Sequence, residues 1–180
     1  MTHDAVVYDL DGTLVELAVD WGAVARDVAR VLRERGVDPG TDGLWGMLER
    51  SEETGHREAV EETISGYERD GARQSRRLTL ADGLPHEIPV GVCSLNAESA
   101  CRLALEVHDI ETVVGPVVGR DTVGSEKPDP EGLLRVVDEL DAAPESTVFV
   151  GDSQRDAETA QRAGTEFAWA SAFDQRRYRA

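Results

Sequence analysis

Lysine is almost missing from this chain of 180 residues: eighteen of its nineteen basic side chains are arginine, and the remaining one is Lys127. Asparagine is rarer than usual as well, with Asn96 alone. Only two cysteines occur, Cys93 and Cys101, without the paired spacing of a zinc site, so they read as buried, inert thiols. Aromatic residues make up 5% of the chain, and no apolar run approaches the roughly 20 residues that a membrane-spanning helix needs. No signal peptide is recognisable either, so the expectation is a soluble, cytoplasmic protein with no membrane partner. Positive charge is scarce overall: 36 Asp and Glu against 19 Lys and Arg leave a net charge of −17. Such a surface repels a phosphate backbone, which argues against general nucleic-acid binding. High acidity with little lysine resembles the proteins of salt-adapted halophiles, which work where the Debye length falls to about 3 Å.

At 19.6 kDa the chain is long enough for one α/β domain with a small insertion, and too short for two catalytic domains. AVVYDLDGTLV, residues 5–15, reads as a buried strand ending at Asp9 and followed by a turn at Gly12. The next apolar run that reads as a strand is IPVGVCS, ending at Ser94. The stretch between them, 16–87, is too long for a loop and is helical in pattern. WGAVARDVARVLRERG spaces Trp21, Val24, Val28, Val31 and Leu32 as one face of a helix that stops at Gly36, and further helices are expected around LWGMLER and from Glu52 to Arg77. This stretch is read as a small helical cap. It carries ten of the arginines, of which Arg69, Arg73, Arg76 and Arg77 are placed on one helical face as solvated or salt-paired groups; Trp21 and Trp45 are assigned to the cap core, and nothing places His56 or Arg57 in a site.

After Ser94 the pattern alternates: ESACRLALEV as helix, VVGPVVG as strand, PDPEGLLRVVDEL as helix, STVFVGD as strand, DAETAQRAG as helix and EFAWA as strand. That alternation implies parallel βαβ units in a Rossmann-like three-layer sandwich, with functional groups at the carboxyl ends of the strands. Those ends carry Asp9, Ser94, the segment Arg120 to Lys127, and Asp152; the closing QRRYRA reads as a frayed tail.

Asp9 and Asp11, one residue apart at a strand end, can face one crevice, although a DxD alone is as well explained as a turn. GDSQRD adds Asp152 and, four residues on, Asp156 at the start of a helix. Acids from two strand ends form an oxygen-rich site suited to a hard cation such as Mg²⁺. The Ser94 hydroxyl and the Lys127 ammonium beside it suit a phosphoryl group, whose oxygens accept hydrogen bonds and carry negative charge.

DLDGTL at 9–14, the strand ending in Ser94, Lys127 in KPDP and GDSQRD at 151–156 together resemble the four ordered motifs of the haloacid dehalogenase (HAD) superfamily, particularly its phosphoglycolate-phosphatase-like members with a helical C1-type cap. The resemblance implies a HAD core of residues 1–15 and 88–180 with a cap at 16–87. It implies Asp9 as nucleophile, Asp11 as general acid and base, Mg²⁺ held by Asp9, Asp11, Asp152 and Asp156, and a transferring phosphoryl group bound by Ser94 and Lys127. The expected substrate is a small phosphorylated metabolite. Asp11 favours phosphate esters, because dehalogenases of this superfamily lack an aspartate two residues after the nucleophile. A sugar phosphomutase uses the same core, and a receiver-like or HAD-like binding protein is the reading outside enzymology. Two departures stand out. Leu95 separates Ser94 from Asn96, which could join the substrate site or cap a helix, and the helix before the second motif is trimmed to ADGLPHE, around 81–88, which would leave the neighbouring sheet face more open.

Overall fold

The computed structural model describes residues 3–178. Its elements in chain order are β1 (Ala5–Tyr8), β2 (Val15–Glu16), α1 (Trp21–Glu34), α2 (Gly43–Glu53), α3 (Arg57–Arg73), β3 (Arg76–Arg77), β4 (Val90–Cys93), α4 (Glu98–Val107), β5 (Val117–Val118), α5 (Glu131–Glu139), β6 (Thr147–Gly151), α6 (Gln154–Ala163) and β7 (Glu166–Trp169). Five strands form one parallel sheet in the order β5-β4-β1-β6-β7. The chain runs outward from β1 through β4 to β5 and then crosses to β6 and β7 on the other side. Strand order therefore reverses around β1, and the crevice at such a reversal lies at the carboxyl ends.

Side-chain alternation builds the two faces. Val6 and Tyr8 of β1, Val92 of β4 and Val148 and Val150 of β6 enter one apolar cluster with Cys101, Ala104 and Leu105 of α4. Val7 and Phe149 point the other way, into a second cluster with Leu133, Val136 and Val137 of α5 and Ala160 and Ala163 of α6. Period-2 burial on both faces is what a β-branched strand between two helical layers requires.

Helices α1 to α3 have their own core, in which Val24, Val28, Val31 and Leu32 meet Met47, Leu48, Val60 and Ile64. Helix α1 ends as its sequence requires: Arg35 follows its last turn and Gly36 takes φ +76°, a left-handed stop open to glycine. β2 and β3 pair antiparallel, Val15 with Arg77 and Glu16 with Arg76, and so tie the strands entering and leaving the helices together. Helix α3 ends at Arg73, so the four arginines do not share a helical face. Arg76 and Arg77 lie on β3, and each of the four has a carboxylate partner: Glu62, Asp70, Glu16 and Asp82 in turn.

The closing segment departs from the frayed tail read in the sequence. Gln175–Tyr178 forms a 3₁₀ turn with Gln175 and Tyr178 buried; Arg179 and Ala180 lie outside the described residues. The Tyr178 carbonyl accepts from Glu87 N–H at 2.7 Å, and its ring stacks on Phe173 with centroids 5.8 Å apart. Phe173 in turn meets the ring of Tyr8 edge-on. With the segment before β4 reduced to a 3₁₀ turn at Ala81–Gly83, these rings cover the sheet face that a full helix would cover. Beside them lies a cavity of about 680 Å³ between Leu78–Leu80, residues 170–176 and the Gly12–Thr13 turn.

Candidate active site

Asp9 follows the last residue of β1, and its backbone N–H donates to Val150 O of β6 at 2.8 Å, so the strand pairing itself fixes where the acid stands. After Leu10 and Asp11 the chain turns back through Gly12, which has φ +84°. A Cβ at Gly12 would collide with the Asp152 carboxylate, so glycine is needed both for its backbone and to let the second acid approach. Asp156 sits in the first turn of α6, where Ser153 caps the helix. The Ser153 hydroxyl accepts from Asp156 N–H at 3.2 Å, while Asp156 Oδ2 accepts from the Ser153 hydroxyl at 2.6 Å and the Ser153 N–H at 3.1 Å. This reciprocal pairing orients Asp156 toward β1. Ligand oxygens of Asp9, Asp152 and Asp156 all lie within 4.8 Å of one another.

Lys127 compensates these acids. Its Nζ donates to Asp9 Oδ1 at 2.9 Å, to Asp156 Oδ1 at 2.5 Å and to Cys93 O at 3.3 Å, so all three ammonium protons have acceptors. Asp9, Asp156 and Lys127 are all buried. Burial pushes the Asp9 carboxyl up to about 6 against the pull of Lys127, with Asp156 adding repulsion. Burial also raises Asp11 and Asp152, and in each case other carboxylates contribute. Lys127 is held above the usual range by Asp9 and Asp156 even though burial opposes its charge. Three acids kept close by one lysine form an all-oxygen set short of positive charge, which fits a hard divalent cation. Asp156 offers the least to such an ion, because Lys127 and Ser153 already occupy its two oxygens.

The Asp11 carboxylate is not part of that trio. Its Oδ1 accepts from Leu17 N–H at 2.8 Å, which turns it toward the entrance of the cap. Ser94, Asn96 and Lys127 border the same cavity of about 180 Å³ as Asp9, Asp11, Asp152 and Asp156. The seven residues singled out from the sequence thus converge in one place. Asn96 does not cap α4, since Ala97 occupies that position; its side-chain oxygen instead accepts from the Ser94 hydroxyl at 3.0 Å.

The two tryptophans assigned to the cap core have different outcomes. Both line this cavity, but Trp45 also packs against the apolar cluster of α1 to α3 as expected, whereas Trp21 does not join it; Arg155 of α6 lies over the Trp45 ring at 5.2 Å. Helix α3 also meets the carboxyl edge of the sheet through charge, of which the sequence offered only Arg120, as the start of a strand-end segment, and Arg57, unplaced. Arg120, after β5, donates to Glu68 and Glu61 of α3, with its NH1 at 2.9 Å from Glu68 Oε1 and its Nε at 2.7 Å from Glu61 Oε1. Arg57 lies 4.0 Å from Glu126, next to Lys127 in the chain. Arg57, Glu61 and Glu68 recur at helical spacing along one face of α3, a charged stripe that a search restricted to strand ends passes over.

This architecture recurs among known proteins. The family model for haloacid dehalogenase-like hydrolases matches residues 79–170. A phosphoglycolate phosphatase of Cereibacter sphaeroides is 30% identical over 189 residues, covering 91% of this chain and 83% of the relative. A phosphoglycolate phosphatase of Pseudomonas putida is 29% identical over 89% of this chain, which spans 66% of that relative's length. Among solved structures, CbbY from Rhodobacter sphaeroides in complex with phosphate superposes with a TM-score of 0.67 at 19% identity, covering 93% of this chain and 86% of that one. A match over half the chain, together with a relative aligned along nearly its whole length, places this chain among the haloacid dehalogenase-like hydrolases.

Proposed function

We propose that the protein is a Mg²⁺-dependent phosphatase that hydrolyses the phosphate monoester of a small metabolite through a phosphorylated Asp9. The observation that carries this reading is the buried contact between Lys127 and Asp9 inside a cluster of acids at the sheet reversal. A carboxylate nucleophile and a phosphate dianion repel each other, and unit charges about 4 Å apart interact by several kcal/mol at an effective dielectric near 20. Lys127 offsets that repulsion, and Mg²⁺ held by Asp9 and Asp152, with the Asp11 carbonyl and Asp156 in support, would supply further charge stabilisation.

In the first step an Asp9 carboxylate oxygen forms a bond to phosphorus as the ester P–O bond breaks, and Asp11 donates a proton to the leaving alkoxide. In the second, Asp11 takes a proton from water, the resulting hydroxide oxygen bonds to phosphorus, and the acyl phosphate bond breaks to regenerate Asp9 and release phosphate. Ser94 and Lys127 bind the transferring oxygens, with Asn96 beside them. Residues 1–15 and 88–180 form the catalytic core, and the cap at 16–87 excludes water and selects the substrate. Trp21 and Trp45 line the cavity, with Arg155 over the Trp45 ring, which suits a small substrate, and the naming of the relatives makes phosphoglycolate the first compound to try. The acidic surface fits a protein working in the cytoplasm of a salt-adapted cell.

Turnover of p-nitrophenyl phosphate with Mg²⁺ and with EDTA tests the reading. Activity should need the metal and fall by at least about a thousandfold in Asp9→Asn, as expected when a nucleophile is removed. Parent-like turnover in Asp9→Asn would falsify the assignment.

A further inference from the structure

Glu68 and Arg120 are fully buried, and Arg120 is the bulkiest side chain with no exposure. Burying such a pair confers little stability over a well-packed apolar pair, so its position in the fold needs another reason. Both residues grip the loop from Ser94 to Ala97. Arg120 donates from its backbone N–H to Asn96 O at 3.0 Å and from NH1 to Leu95 O. Glu68, reaching from the cap, accepts from Ala97 N–H at 3.0 Å and from Asn96 Nδ2 at 3.1 Å.

A carboxylate can only accept, so Asn96 must present its NH₂ to Glu68 and its oxygen to Ser94. The Ser94 hydroxyl then accepts from Asn96 N–H at 3.2 Å and donates to Asn96 Oδ1 at 3.0 Å. We propose that Glu68, with Arg120, is a positioning residue through which the cap orients Ser94 for phosphoryl binding, acting by way of Asn96. This rests on the reading of Ser94 as a phosphoryl ligand. When a phosphoryl oxygen enters, the Ser94 proton turns from Asn96 Oδ1 to that oxygen, while Asn96 N–H keeps Oγ in place. No covalent bond changes. Because Glu68 belongs to α3, phosphoryl binding and docking of the cap are linked in both directions.

The test uses the full chain with Mg²⁺, reading KM and kcat for p-nitrophenyl phosphate and the inhibition constant of inorganic phosphate. Glu68→Gln and Asn96→Ala should each raise KM and the phosphate constant about tenfold, the scale of one hydrogen bond to a charged partner, with a smaller change in kcat. In an Asn96→Ala background, Glu68→Gln should add less than about twofold, since both act along one route. A Glu68→Leu/Arg120→Met pair removes both charges together and separates stability from orientation. It should keep the raised phosphate constant even if its melting temperature matches the parent.

The proposal is overturned by parent-like phosphate inhibition in the folded Glu68→Leu/Arg120→Met variant, or by Glu68→Gln and Asn96→Ala effects that multiply. Ser94→Ala identifies which layer failed. If Ser94→Ala leaves phosphate inhibition unchanged, the ligand reading of Ser94 falls and this proposal with it. If Ser94→Ala weakens inhibition while Glu68→Gln and Asn96→Ala do not, only the role of Glu68 falls.

Discussion

Gly12 shows how much one missing side chain can decide. Its φ of +84° and the carboxylate of Asp152 lying where a Cβ would project make two separate demands for glycine. Gly12→Ala should therefore cost about 1–3 kcal/mol of stability, the range for a strained left-handed residue. It should also lessen the rise in melting temperature that Mg²⁺ produces, because Asp152 must move away; a variant with parent-like Mg²⁺ stabilisation would show that Asp152 is not held there for a cation. The thiols make the opposite case. Cys93 and Cys101 are both buried, and burial pushes the Cys93 thiol up to about 12. Below that value the thiol keeps its proton, and only the thiolate is reactive, so at pH 8 neither cysteine should react with a disulfide reagent until the protein is unfolded. Rapid labelling of the native protein would contradict this. At this scale the sequence was readable where chemistry is local. Asp9, Asp11, Asp152 and Asp156 sit at strand ends and helix starts that composition and period announce, and Lys127 is conspicuous by being alone. Glu68 was hidden, and with it the partner of Arg120, because a buried ion pair across 52 positions leaves no mark in either segment taken alone.

At the scale of elements, the long periodic helices were legible and the short or composite pieces were not. The stretch Trp21 to Gly36 reads as the helix it is, since five apolar positions recur at its spacing and a glycine ends it. VVGPVVG contains only a two-residue strand, Val117–Val118, because Gly115 and Pro116 precede it and sheet pairing ends early. Trp21 follows the helical stripe by spacing yet lines the candidate site's cavity and stays outside the apolar cluster of α1 to α3. The tail was misread for a related reason: its partners, His3, His86 and Glu87, lie far away in sequence. A chain cut after Ala172 should lose Phe173 and Tyr178 from the sheet face. Tyr178→Ala in the full chain should cost about 3 kcal/mol, a typical large-to-small loss in a core. For a domain of this size that corresponds to a drop of roughly 6–12 °C in melting temperature. Arg177→Ala, on the exposed side of the same turn, serves as the control; equal melting temperatures for the two variants would restore the frayed-tail reading.

For the molecule as a whole, the net charge of −17 and the many exposed arginine pairs pull in opposite directions when salt is added. Salt weakens both attraction and repulsion, but not over the same distances. The exposed pairs are short, such as Arg30–Glu34 at 3.0 Å and Arg135–Glu139 at 2.9 Å, comparable to the Debye length of about 3 Å at 1 M, and each contributes only about 0–1 kcal/mol at any salt. The repulsion acts among all the unpaired acids over tens of ångströms, a range unscreened at 0.01 M, where the Debye length is about 30 Å, and removed at 1 M. The buried contacts, Arg120 with Glu68 and Lys127 with Asp9, are shielded from solvent ions and change little. Long-range repulsion is therefore the larger salt-sensitive effect, and removing it favours the compact state. Melting temperature should rise by at least about 4 °C between 10 mM and 1 M KCl, which for a chain of this length corresponds to roughly 1–2 kcal/mol. NaCl should act alike, because screening depends on ionic strength and not on the identity of the cation. A melting temperature that falls with KCl would mean that the surface pairs, and not the excess of acids, govern the stability of this molecule.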